Sequence, residues 1–144
     1  MYRIVTGTSG FCQFFDIEQI LAMQTTSQTI LIVECDLPTL ELYRRELSRD
    51  YQILACSEVQ QALVLLHTRQ ISAVVLEPAA PDERGWSLLT TIKNLPGIPS
   101  IPVVMCSILD ERKRGMEMGA AAYLVKPVLP TALRETLRQV TRRI

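Results

Sequence analysis

The chain has 144 residues, fifteen basic and fifteen acidic side chains, a formal net charge of zero and 48% hydrophobic residues. That length and apolar content fit one compact domain with a real core plus a short extension. A balanced charge gives no long-range field for nucleic acid or a membrane surface, and runs such as Val103-Val104-Met105-Cys106 are far too short to span a bilayer. Cys12, Cys35, Cys56 and Cys106 show no C-x-x-C spacing, so neither a cysteine-ligated metal site nor a disulfide framework is expected, and reduced thiols point to the cytoplasm.

Residues 1–28 read as an N-terminal extension. Gly7-Thr8-Ser9-Gly10 carries loop chemistry and Thr25-Thr26-Ser27-Gln28 forms a polar linker. Between them Phe14, Ile17, Ile20 and Leu21 recur at helical spacing and predict one short amphipathic helix. Asp16 and Glu18 interrupt the apolar stretch that a secretory signal needs. Met23 is a candidate alternative translation start. The extension reads either as a loosely docked leader or as an interface helix.

A regular alternation follows over residues 29–144. Thr29-Ile30-Leu31-Ile32-Val33 predicts a first strand ending in Glu34-Cys35-Asp36, and Pro38 opens a helix with Leu40, Tyr43 and Leu47 on one face. Tyr51-Gln52-Ile53-Leu54-Ala55 predicts the second strand. The helix after it starts near Glu58, with Val59, Ala62, Leu63 and Leu66 at i, i+3, i+4 and i+7. Ser72-Ala73-Val74-Val75-Leu76 is the third strand, closing on Glu77; its helix carries Leu88, Leu89, Ile92 and Leu95 before Pro96-Gly97 stops it. Pro102-Val103-Val104-Met105-Cys106-Ser107 is the fourth strand, and residues 110–118 predict a charged, weakly patterned helix. Ala121-Ala122-Tyr123-Leu124-Val125 is the fifth strand, and the last helix runs from near Pro130 with Leu133, Leu137 and Val140 inward. Five strand–helix units in strict alternation predict an α/β doubly wound parallel sheet with helices on both faces. No G-x-G-x-x-G follows the first strand and no Walker loop is present, which removes dinucleotide and nucleoside-triphosphate readings.

In a parallel sheet every C-terminal strand end points to one edge, where such folds place their chemistry. That gathers Glu34, Cys35 and Asp36, then Glu77, Ser107 and Lys126. Carboxylates with a hydroxyl and a lysine are the groups that Mg²⁺-assisted phosphoryl transfer to an acidic side chain needs: metal and ammonium neutralise oxygens while a carboxylate attacks.

On these residues the chain resembles a response-regulator receiver domain (CheY-like) over residues 29–144. The acidic cluster after strand one matches Glu34-Cys35-Asp36. A phosphoacceptor followed by proline four residues on and glycine eight on matches Glu77, Pro81 and Gly85. The switch hydroxyl matches Ser107, the strand-five aromatic Tyr123, and the Lys-Pro pair Lys126-Pro127. The resemblance implies a flavodoxin-like strand order 2-1-3-4-5, a cis bond at Lys126-Pro127, and a metal site drawn from Glu34, Asp36, Glu77 and Ala79.

Two departures bear on function. Glu77 stands where the family has an aspartate, and the extra methylene moves the carboxylate by about 1.5 Å, a shift that in-line attack feels. Cys35 occupies the second metal-binding position and is a poor ligand for a hard cation. The pattern is that of a degenerate pseudo-receiver, with no cofactor expected. Three readings of Glu77 stay open: it mimics a phosphorylated state by pairing with Lys126 and approaching Ser107, it is a structural acid neutralised by Lys126, or it keeps residual Mg²⁺-dependent phosphorylation.

Other residues carry plainer expectations: Tyr123 as packing aromatic or switch, Trp86 as a packing anchor, His67 as solvated surface, Arg112-Lys113-Arg114 as a solvated helix face, and buried cysteines as core. The expected function is that of a phosphorylation-independent protein–protein interaction module of two-component signalling, not an enzyme. Its expected partners are a histidine kinase or an output protein, or a second copy through the fourth helix, fifth strand and fifth helix. Neither nucleic acid nor membrane is expected as a direct partner, because no DNA-reading pattern accompanies the domain.

Overall fold

The computed structural model describes residues 2–5, 12–15, 28–79, 84–96 and 100–142. Near the N-terminus, β1 (Tyr2–Val5) pairs antiparallel with β2 (Cys12–Phe15), Tyr2 opposite Phe15 and Val5 opposite Cys12. This corrects the predicted helix at Phe14: the residue lies in a strand, because Cys12-Gln13-Phe14-Phe15 is an aromatic-rich run that satisfies its backbone by pairing with Tyr2–Val5. Ile17, Ile20 and Leu21, the rest of that expected helix, lie outside the described residues.

The domain proper alternates as its periodicity requires. In order come β3 (Thr29–Val33), α1 (Leu37–Leu47), β4 (Gln52–Cys56), α2 (Val59–Thr68), β5 (Ala73–Leu76) and α3 (Arg84–Asn94). After them run β6 (Val103–Ser107), α4 (Arg112–Glu117), β7 (Ala122–Val125) and α5 (Pro130–Thr141). The five strands from β3 onward form one parallel sheet in the order β4-β3-β5-β6-β7, which is the expected 2-1-3-4-5. Strands β3, β5 and β6 lie inside that sheet and are buried along nearly their whole length, which is why they read as unbroken aliphatic runs.

Alternate strand residues divide the core in two. Leu31, Val33, Val74, Leu76, Val103 and Met105 pack toward Leu66 of α2 and Trp86, Leu89 and Ile92 of α3. Their neighbours Ile30, Ile32, Val75, Val104 and Cys106 pack toward Leu40, Tyr43 and Leu47 of α1 and Leu133 and Leu137 of α5. Both helices on this second face begin with a proline in the first turn, where a missing N–H costs nothing.

Helix α4 is shorter than the predicted 110–118 because groups at its start are engaged elsewhere. Asp110 turns its carboxylate to Arg112, and the Glu111 N–H meets the Tyr123 hydroxyl. Among the described residues no helix is long and apolar enough to cross a membrane.

Candidate functional site

The sheet ladder runs one residue past the strands and fixes the site. Glu34 N–H donates to Cys56 O (3.1 Å), Glu77 N–H to Val33 O (3.0 Å) and Lys126 N–H to Ser107 O (2.7 Å). Three chemically active side chains are thereby mounted on backbone that the sheet already holds. Their tips converge: Lys126 Nζ lies 2.8 Å from Glu34 Oε2 and 2.8 Å from Glu77 Oε2. The remaining oxygens are also occupied, since Asp36 N–H donates to Glu34 Oε1 and Ala79 N–H to Glu77 Oε1, each at 3.1 Å. Both glutamates are buried, 2% and 6% exposed, so each oxygen needs the partner it has.

Burial by itself disfavours the Lys126 ammonium, but its hydrogen bonds to Glu34 and Glu77 and their negative charges outweigh that cost and raise its pKa above the ordinary lysine value. The lysine is thus fully charged, and one positive charge faces two carboxylates. The Lys126-Pro127 peptide bond is cis, as the resemblance implies.

A cleft of about 320 Å³ opens over this triad, lined by Glu34, Cys35, Asp36, Thr39, Glu77, Ala79, Ile108 and Lys126. It brings together every expected metal-binding residue, yet their donor groups do not fit a hard divalent cation. Asp36 caps α1, its carboxylate accepting from Thr39 N–H at 3.2 Å and from the Thr39 hydroxyl. Those bonds hold its carboxyl below the usual carboxylate range. Glu34 and Glu77 are spent on Lys126 and backbone, and Cys35 offers sulfur where oxygen is wanted. Burial and the neighbouring glutamates push the Cys35 thiol up, so it is not a ready thiolate ligand either. Among the described residues no group of three or more His, Cys, Asp or Glu is arranged to hold a metal ion.

Ser107 is fully buried, and its hydroxyl accepts from Leu109 N–H at 3.1 Å; it caps its own loop. Tyr123 is 8% exposed and turned inward, donating to Leu109 O (2.7 Å) and accepting from Glu111 N–H (3.3 Å). Gly115 makes room for it, because a Cβ there would lie 2.6 Å from the Tyr123 ring. Gly85 matches its family position for a similar reason. Its absent Cβ would sit 2.5 Å from Pro78 Cα and 2.6 Å from Glu77 O, so α3 can approach the strand end only at a glycine. Pro81 lies outside the described residues.

Trp86 is buried as expected, and Arg114 departs from a purely solvated role: its guanidinium stacks 4.0 Å from the Trp86 ring and pairs with Glu111. His67 is exposed, with Nδ1 at 2.7 Å from Leu63 O. Burial pushes the thiols of Cys56 and Cys106 up to about 11 and about 12, which suits core residues. Three contributors escaped the sequence reading: Thr39, Ile108 and Gly115. The Asp36-x-x-Thr39 spacing at a helix start was a usable signal; nothing local marked Ile108 or Gly115.

Comparison with known proteins agrees with this fold. The sequence profile of the family described as response regulator receiver domain matches residues 30–138. The transcriptional regulatory protein GltR of Pseudomonas aeruginosa is 31% identical over 125 residues, covering 84% of this chain and 52% of that protein. The probable transcriptional regulator ycf27 of Guillardia theta is 29% identical over 119 residues, covering 82% and 47%. The chain therefore spans about half the length of these curated relatives. Among solved structures, a response regulator receiver domain protein (CheY-like) from Methanospirillum hungatei superposes with a TM-score of 0.74 at 22% identity, covering 81% of this chain and 95% of that one. The BeF3-activated DrrB receiver domain gives 0.73 at 22%, covering 82% and 100%.

Proposed function

The chain belongs to the response-regulator receiver family, and from that premise we propose that it is an atypical receiver that works by binding and not by being phosphorylated. One observation carries the reading: Lys126 bridges Glu34 and Glu77 at 2.8 Å each. Backbone N–H groups meet the two oxygens left over, so every carboxylate oxygen of the pair has a partner within the protein, without phosphate or cation.

An incoming phosphoryl group would need a carboxylate oxygen of Glu77 free for attack and a cation to neutralise its charge. Both Glu77 oxygens here are hydrogen-bonded, and the one lysine is shared. The Ser107 hydroxyl, engaged by Leu109, supports a structural role for Glu77 over mimicry of a phosphorylated state. In this reading the module is a signalling domain of a two-component system without turnover of its own. It acts in the cytoplasm on a histidine kinase or an output protein, or on a second copy through α4, β7 and α5.

Intact-mass analysis after incubation with Mg²⁺ and acetyl phosphate tests the proposal. The expected spectrum shows unmodified protein. A Mg²⁺-dependent phosphoryl adduct that disappears in Glu77→Gln would overturn it and establish the alternative, a phosphorelay receiver with residual phosphorylation.

A further inference from the structure

The N-terminal hairpin lies outside residues 30–138, the part of the chain that matches the receiver family. Its strands β1 and β2 make a two-stranded sheet of their own. Among the described residues no third strand joins them, and the five-stranded sheet ends at β4 and β7 without them. The register assigns residues to faces: Tyr2, Ile4, Gln13 and Phe15 share one, and Arg3, Val5, Cys12 and Phe14 share the other. Apolar residues therefore dominate both faces. A lone two-stranded hairpin is only marginally stable in water. Each of its strands also has one open edge of N–H and C=O groups, which is a template for a further strand.

The two open edges differ in charge. Strand β1 contains Arg3, whereas Cys12-Gln13-Phe14-Phe15 has no charged residue. Two identical strands that pair antiparallel about a two-fold axis set one residue directly opposite its own copy, because facing residues lie on the same side of the sheet. In the middle of β1 that residue is Arg3 or Ile4. Either choice puts the two copies of Arg3 directly or diagonally opposite at about 5–8 Å, a like-charge clash. In the middle of β2 it is Gln13 or Phe14, and no charge opposes the pairing. The edge that accepts its own copy is that of β2.

We propose that the chain self-associates through this edge, with β2 of one copy pairing antiparallel to β2 of another so that two hairpins make one four-stranded sheet. The contact is small, so the dimer is weak. Residues 16–27 separate the hairpin from the start of the domain by at most about 40 Å. Paired hairpins therefore hold two receiver domains at high local concentration, and a binding partner meets them as a bivalent surface. The contact involves none of α4, β7 and α5 and does not depend on the state of Glu77.

Sedimentation equilibrium of the full chain from about 1 µM to about 1 mM tests this, alongside Gln13→Lys, Gln13→Glu and an equimolar mixture of the two variants. In the paired edge residue 13 faces its copy directly or diagonally at about 5–8 Å. Two lysines or two glutamates there repel, whereas one of each attracts. The native chain should dimerise with a Kd of about 10–100 µM. Each variant alone should dimerise about tenfold more weakly or less, and the mixture should return to within about threefold of the native chain. A native chain that stays monomeric at about 1 mM overturns the proposal, as expected if the hairpin pairs instead with an edge strand of its own domain. Variants that dimerise as the native chain does place the contact elsewhere, as on the α4, β7 and α5 face, and overturn it too. Dimerisation lost in both variants and not regained in the mixture shows that residue 13 does not meet its copy, which overturns it as well.

Discussion

Lys126 is the residue whose removal should be felt most. It is 14% exposed, and it neutralises two carboxylates that are 3% and 6% exposed. Breaking a buried ion pair by deleting one partner leaves the other charges uncompensated, which costs about 3–5 kcal/mol. Lys126→Met should therefore lower the urea midpoint strongly at neutral pH. In the native chain the lysine pKa is raised on folding. Its contribution is thus fully present below about pH 10.4, the unfolded lysine value, and is lost as pH rises through the folded one. Alkaline denaturation monitored by circular dichroism checks the sign: a native chain that loses this contribution already between pH 7 and about 9 would contradict it.

Two glycines at the scale of elements have different consequences, although both are tightly packed. A Cβ at Gly85 meets backbone, Pro78 Cα at 2.5 Å and Glu77 O at 2.6 Å, so helix α3 must move away from the strand end. Gly85→Ala should destabilise by about 2–3 kcal/mol and displace Glu77 with it. At Gly115 the Cβ meets a side chain, the Tyr123 ring, which can rotate outward. Alanine gains about 1 kcal/mol of helix propensity there, which offsets part of the overpacking cost. Gly115→Ala should thus lower the midpoint, but by less than Gly85→Ala, as Tyr123 leaves its pocket and its bonds to Leu109 and Glu111 break. Near-UV circular dichroism and the Ile108–Glu111 amide shifts report that movement; an unchanged tyrosine signal would show that the helix yields instead.

For the whole molecule, stability is concentrated in the centre of the sheet. Strands β3, β5 and β6 are buried and serve both core layers, whereas β4 and β7 are edges with half-buried residues. Amide exchange should be slowest in Leu31–Val33, Val74–Leu76 and Val104–Cys106 and measurably faster in β4 and β7. Because Glu34, Glu77 and Lys126 follow β3, β5 and β7, the site joins two of the three slow strands to an edge. Destabilising β7 should therefore loosen Lys126 before either glutamate.

Much of this architecture was legible along the chain. Apolar runs bounded by turn chemistry, alternating with i, i+3, i+4 patterns, dictate five strands and five helices. Parallel pairing then obliges Glu34, Glu77 and Lys126 to meet at one edge, because every strand end points the same way. The pairing of Phe14 was not legible: it sat in a plausible helical pattern, but the strand Tyr2–Val5 claimed it. What the sequence could not decide was how each terminal side chain spends its hydrogen bonds. Asp36 could face a metal or cap a helix, and Thr39 settles it; Ser107 could reach Glu77 or its own loop, and the Leu109 N–H settles that. A hydrogen bond needs its two heavy atoms within about 3 Å, so the winner depends on backbone placed by distant strands. Periodicity and strand direction are properties of a local stretch and survive in the sequence alone, whereas the sharing of Lys126 between two acids exists only once three strands from separate parts of the chain stand side by side.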